Sequence, residues 1–227
     1  MDNIQKNFLV AISKSFIAYE QNGARSNKKL VPIHRFLAEM VAIKVGKGFT
    51  IKSLGFGDGK EVRIDGKYYP KYLDIAVFKS DKIIATISFK FITSNYKQNA
   101  YNYFEQLMGE SANIRRQNVG FAHFVVFRGG TPYYLKNKEN LRGEEIRREA
   151  IKEKDIQKYI KLFKDMDFPH KPDLIGICIL DFDQSDMPFF ANLNDFDFST
   201  ETKEILLNDF SISKFLNKFV HLISLKS

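Results

Sequence analysis

Three residue types that can act together fall in one short stretch, YYPKYLDIAVFKSDKIIATISFKFITSNYKQNAYNYFEQLMGES, which contains Asp74, Ser88 and Lys90. Around Ser80-Asp81-Lys82 the flanking segments carry the β-branched and aromatic pattern of two strands joined as a hairpin. If 72–79 and 83–90 pair about that three-residue loop, opposed positions sum to 162, and Asp74 stands opposite Ser88. Such a pair lies about 5 Å apart between β-carbons. Lys90 shares the face of Ser88, whereas Ile83, Ala85, Ile87, Phe89 and Phe91 make the opposite face apolar. A carboxylate, a hydroxyl and an ammonium then converge on one sheet face. Phosphodiester hydrolysis asks for hard oxygen ligands to a divalent cation, an oriented water and positive charge beside the phosphate. The same Asp–Lys pair also suits a plain cross-strand salt bridge on a solvated face. Ser-x-Lys recurs at 26–28, 80–82 and 224–226, but only 88–90 has a carboxylate on a strand partner.

The elements that position these residues follow from periodicity. Helical spacing over 3–20 aligns Ile4, Phe8, Leu9, Ile12, Phe16 and Ile17, and the polar stretch 21–29 reads as a loop. A second helix runs from Pro32 to Val45, burying Phe36, Leu37, Met40 and Val41, and Gly46 and Gly48 end it. From 49 to 91 the period is two, with a turn at 56–60, a short strand at 62–65, a hairpin signal at Asp65-Gly66 and strands over 69–78 and 82–91. A helix over 95–115, capped by Ser94, precedes a buried strand at 120–128. A charged helix is expected over 143–164, with Glu144 and Arg148 as an i,i+4 pair, then a buried strand at 173–182. The last helix, 212–225, aligns Ile212, Phe215, Leu216, Phe219 and Ile223, a face for the core or for a two-fold dimer interface. This order predicts an α/β (α+β) fold: a mixed central sheet with an antiparallel hairpin carrying the site, flanked by helices.

Composition narrows the function. In 227 residues there are 35 Lys plus Arg against 27 Asp plus Glu, a net charge of +8. Residues 1–116 hold 19 basic and 10 acidic side chains (+9), and 117–227 hold the remaining 16 and 17 (−1). The basic surplus, which attracts phosphate backbones, therefore shares the half that carries Asp74, Ser88 and Lys90. The single cysteine, Cys178, excludes a disulfide framework and a zinc site built from several cysteines. The longest clean apolar run, LIGICIL, is too short for a membrane span, and no cleavable leader pattern opens the chain, so a cytoplasmic location is expected. No GxxxxGK is present, so no nucleotide cofactor is expected, and the four histidines show neither HExxH nor zinc-finger spacing, which argues against a histidine–metal nuclease.

The Asp74, Ser88 and Lys90 pattern, with the polar helix after it, resembles the PD-(D/E)xK nuclease superfamily, and type II restriction endonucleases in particular. The resemblance covers about 31–128, within a single nuclease domain of 1–227 whose elements from 129 onward would elaborate the core. Asp74 matches the family's first position, Ser88 the second and Lys90 the third. Ser88 stands where the family has a carboxylate, and Pro70 lies four residues before Asp74 rather than beside it. Members with Ser-x-Lys take the missing acid from the following helix, where Glu105 matches the displaced position and Glu110 is the other candidate. Glu39 fits the acidic residue of the preceding helix. The resemblance implies Mg2+ held by Asp74 and Glu105, with Glu39 or Glu110 as a further carboxylate, Lys90 acting on the water, double-stranded DNA as substrate, and a homodimer on a palindromic site. Arg115, Arg116, Asn99 and Asn102 are candidates for DNA contact, or for a solvated helix face. A repair or branch-specific nuclease, and a DNA-binding protein with a decayed site, are the rival readings.

Overall fold

The computed structural model describes residues 1–23, 26–93, 96–136 and 142–227, so the Ser94 cap lies outside the described residues. In chain order the elements are α1 (Asn3–Asn22), α2 (Val31–Val45), β1 (Phe49–Ser53), β2 (Val62–Ile64), β3 (Lys71–Leu73), β4 (Ile75–Lys79), β5 (Lys82–Ile92) and α3 (Tyr96–Arg115). There follow β6 (Gly120–Arg128), β7 (Gly130–Lys136), β8 (Arg142–Ala150), α4 (Glu153–Lys164), β9 (Leu174–Phe182), β10 (Pro188–Phe190), α5 (Thr200–Asn208) and α6 (Ile212–Lys226).

Six strands form a mixed sheet in the order β1-β4-β5-β6-β9-β10. The β1–β4–β5 side is antiparallel, β5–β6–β9 is parallel, and β10 closes the far edge antiparallel to β9. The parallel strands β6 and β9 are covered on both faces, which is why they read as unbroken apolar runs. Helices α1, α2 and α6 cover one face, burying Phe8, Leu37, Phe215 and Phe219 against Ile75, Phe89 and Phe124. Helices α3, α4 and α5 cover the other, where Leu107, Ile156, Tyr159 and Leu206 meet Phe121, Val125 and Phe127. Elements beyond 129 thus supply β9, β10 and three of the six helices to the same sheet.

The structure departs from the sequence reading in four places. Residues 142–150, expected as the start of a charged helix, form β8 and pair with β7, and only 153–164 is helical. Tertiary pairing overrides helix propensity there: Arg147 stacks on Tyr133 at 4.5 Å, and Arg148 pairs with Glu145 rather than Glu144. The β4–β5 loop is one residue tighter than expected, since Lys79 faces Lys82, but a bulge after Val77 restores the sum of 162 from Val77–Ala85 onward. The bulge puts Ile84 with the α1/α2/α6 core and Ile83 with the α3/α4/α5 core, reversing the expected facing of Ile83. On α6 the apolar face packs into the core, the first of the two expected uses, with Phe215, Leu216, Phe219 and Ile223 at most 1% exposed. Ile17 of α1, expected on the buried stripe, is 49% exposed.

The tightest packing is at Gly176 in β9, where an added β-carbon would lie 2.2 Å from the ring of Phe124 and 2.8 Å from that of Phe215. Both rings are buried, so neither can swing into solvent. Gly176→Ala is expected to cost about 2 kcal/mol or more in urea unfolding, and an unchanged midpoint would contradict this close approach.

Candidate active site

The residue on which the site is built is Asp74, at a break in a strand. Residues 71–73 pair with β2 in a separate two-stranded ribbon, while 75–79 enter the main sheet between β1 and β5. At the switch, the Asp74 carbonyl accepts from the Ser53 hydroxyl at 2.7 Å, and its Oδ2 accepts from the Phe89 backbone N–H at 2.7 Å. The side chain thus takes the place of a ladder carbonyl, which fixes its direction and leaves its second oxygen for other work. The ribbon is tied down by Asn113 of α3, fully buried, whose Oδ1 accepts from the N–H groups of Tyr68 and Tyr69 while its amide donates to Tyr69. Gly66 (φ +64°) lies against that amide, where any side chain would collide, so the predicted Asp65-Gly66 turn is a wider loop locked to α3.

Asp74 opens into a cleft of about 290 Å³ lined also by Lys71, Ser88, Lys90, Glu110 and His123. Ser88 donates to Glu110 Oε2 at 3.3 Å, and Lys71 binds the other carboxylate oxygen of Glu110 at 2.6 Å. Lys90 is not ion-paired with Asp74; its ammonium lies 5.0 Å from the centre of the Tyr103 ring in the same cleft. The solvated salt bridge is therefore not what this pair forms. His123 on β6 stands beside Ser88 in the parallel register, and Lys29, from the turn before α2, adds a third lysine to the lining.

On the other side of Asp74 stand two residues that sequence spacing did not indicate. His34 in the first turns of α2 and Glu61 just before β2 bring one ligand atom each, with one from Asp74, to within 4.8 Å of one another. His34 is fully buried, its ring edge-on to Phe89 at 6.0 Å, and neither ring nitrogen has a hydrogen-bond partner. The reading against a histidine–metal site rested on local motifs. This grouping instead comes from three elements far apart in sequence, and no spacing rule detects it.

The remaining expected residues lie elsewhere. Glu105 is exposed on α3 and does not line the cleft; Glu110, further along the same helix, does. Glu39 is exposed and paired with Arg35 at 2.7 Å, facing a groove between α1 and α2; His34 is the residue of that helix that reaches Asp74. Arg115 is committed to structure, bridging Asp167 at 2.8 Å and Asp173 at 2.9 Å and donating to the carbonyls of Phe168 and Lys171. Arg116 and Asn102 are exposed and Asn99 is half-buried; none of the three lines the cleft.

Burial sets the electrostatics. It pushes the Asp74 carboxyl up to about 6, against the lowering pull of the Phe89 N–H and Lys71. Glu61 is likewise raised, by burial and then by Asp74. Burial lowers His34 to about 4 and, with Lys90 and Lys71 adding to it, His123 to about 3, so both imidazoles are neutral at pH 7. Lys29 is lowered by burial and by the nearby Lys90. The two carboxylates crowd one another, and a divalent cation is the counter-charge that relieves them. The donor set fits such an ion: two carboxylates, with a neutral imidazole lacking any other partner.

No family model matches the sequence, and no curated protein matches it at significance. Among solved structures the chain is similar to P. aeruginosa ATCC27853 NucC in its cAAA-bound form, with 9% identity, a TM-score of 0.44, and coverage of 100% of this chain and 92% of that one. Among the described residues, no helix is long and apolar enough to cross a membrane.

The raised carboxyl of Asp74 has a signed consequence for stability. Its folded pKa, about 6, lies above its unfolded value, 3.8, so the folded state holds more protons in that interval and stability falls as pH rises through it. In metal-free protein, Asp74→Asn is expected to be the more stable form at pH 8 by up to about 3 kcal/mol, each pKa unit being worth about 1.4 kcal/mol. The gain should vanish below about pH 4. Urea unfolding in EDTA at pH 8 and pH 4 checks this; a destabilised Asp74→Asn at pH 8 would contradict it.

Proposed function

We propose that the chain is a divalent-metal-dependent endonuclease that hydrolyses DNA phosphodiester bonds. The carrying observation is that Asp74, fixed at the strand break, and the ammonium of Lys90, not ion-paired with it, open into one cleft that Ser88 and Glu110 also line, hydrogen-bonded to each other. A bound divalent cation would supply Lewis acidity and a water of lowered pKa. Asp74 holds that cation, and Lys90 orients the water or stabilises charge on the phosphate. Ser88 occupies the substituted motif position, and Glu110, hydrogen-bonded to it, provides the missing acid in preference to Glu105. Lys71 aims Glu110 by binding its far oxygen. Lys29 and Lys90 give one cleft wall the positive charge a phosphate backbone requires.

The finer reading is a type II restriction endonuclease cutting a short duplex site, with Mg2+ as the expected physiological cation and a two-fold homodimer where the target is palindromic. It is supported by the Ser-x-Lys motif on the strand paired with Asp74 and by the helix carboxylate beside it.

Cleavage of phage DNA with Mg2+ or Mn2+ tests the reading. Asp74→Ala and Lys90→Ala should each lower the rate about 100-fold or more. Glu110→Gln should lower it by at least tenfold, while Glu105→Gln stays within about threefold of wild type. Full activity in Asp74→Ala and Lys90→Ala would sink the assignment. Salt-dependent DNA binding without cleavage under any divalent metal would instead favour a binding module.

A further inference from the structure

We infer that His34, Glu61 and Asp74 together form a cation site beside this cleft, sharing Asp74 with it, and that the imidazole tunes it toward Mn2+ and related first-row ions over Mg2+. The inference rests on the nuclease reading for its purpose, but on geometry alone for its location. Buried polar atoms without partners are rare, and each needs a water, an ion or a strain to explain it. His34 offers two such nitrogens, on a ring that is 0% exposed. Its ligand atom shares a 4.8 Å space with the carboxylate oxygens of Glu61 and Asp74. Around a six-coordinate ion with bonds of about 2.1 Å, adjacent ligands stand about 3 Å apart and opposed ones about 4.2 Å, so binding would draw the three groups together around the ion. One ion would thereby partner one ring nitrogen and neutralise two carboxylates that otherwise repel.

The site is also held from three sides. His34 is on α2 and braced edge-on by Phe89, Glu61 leads into β2, and Asp74 sits at the break before β4 with one oxygen bound to the Phe89 N–H. The other Asp74 oxygen remains for the ion. A rigid neutral imidazole is a poor ligand for Mg2+, which prefers oxygen and its own waters, and a good one for Mn2+, Co2+ or Zn2+. The donor set therefore discriminates where an all-carboxylate site would not.

Mn2+ binding to the full chain, followed by electron paramagnetic resonance, tests this without reference to activity. Bound Mn2+ should show the 14N modulation of a coordinated imidazole. His34→Gln should abolish the modulation and weaken Mn2+ binding tenfold or more, while Mg2+ binding changes by less than threefold. His123→Gln should leave the modulation intact. Glu61→Gln should keep the modulation but weaken binding tenfold, which preserves the test if His34→Gln does not fold. Absence of 14N modulation in the wild type, or its persistence in His34→Gln, overturns the inference. Cleavage with Mg2+ in that case would leave the nuclease reading standing; modulation without any cleavage would leave the metal site standing and remove the nuclease.

Discussion

A single hydrogen bond, from the Phe89 N–H to the Asp74 carboxylate at 2.7 Å, organises the functional end of this molecule. A side-chain acceptor stands where the sheet would ordinarily supply a backbone carbonyl, so pairing with β5 need not continue through residue 73. The chain is then free to leave the sheet, and residues 71–73 join β2 instead. That departure swings Lys71 onto Glu110 and brings Glu61 to the flank of Asp74. Ser53 completes the switch by taking the Asp74 carbonyl, which the departing strand leaves without a ladder partner.

The arrangement is electrostatically costly. Two half-buried carboxylates side by side are destabilising without a counter-charge, and so is a fully buried neutral imidazole without a partner for its nitrogens. Such strain is characteristic of sites kept for chemistry rather than for stability. The rest of the fold offsets it with two apolar layers, α1/α2/α6 and α3/α4/α5, packed on a sheet whose central strands are buried on both faces. The rigid sheet holds Ser88 and Lys90 in register, and the helices carry what must approach from outside: His34 on α2 and Glu110 on α3.

The layering and the hairpin were legible in the sequence because both follow from periodicity. The register next to Asp74, with Ile75 opposite Ile87, has the expected sum of 162, although through compensation: the tight loop removes a residue and the bulge at Ile84 returns it. Ile83 shows the limit, since its facing depends on a bulge that no pattern announces. The β7–β8 ribbon was hidden because its residues favour helix, and only pairing with Tyr133 and its neighbours makes a strand of them. Glu110 and Glu105 could not be separated by counting, because the distance along α3 to the cleft depends on how that helix is docked by Asn113 and Leu107. His34 and Glu61 were invisible for a more general reason. A site assembled from a helix, a loop and a strand break has no repeat distance, and its signature is an unpartnered buried group that appears only in three dimensions.

The most direct measurement is a crystal structure grown or soaked with Mn2+, with diffraction recorded for its anomalous signal. The predicted result is a peak at the strand break, in contact with the free oxygen of Asp74 and with His34 and Glu61. A saturating soak that leaves this position empty, or that places Mn2+ only on surface carboxylates, would contradict a metal centre built on Asp74.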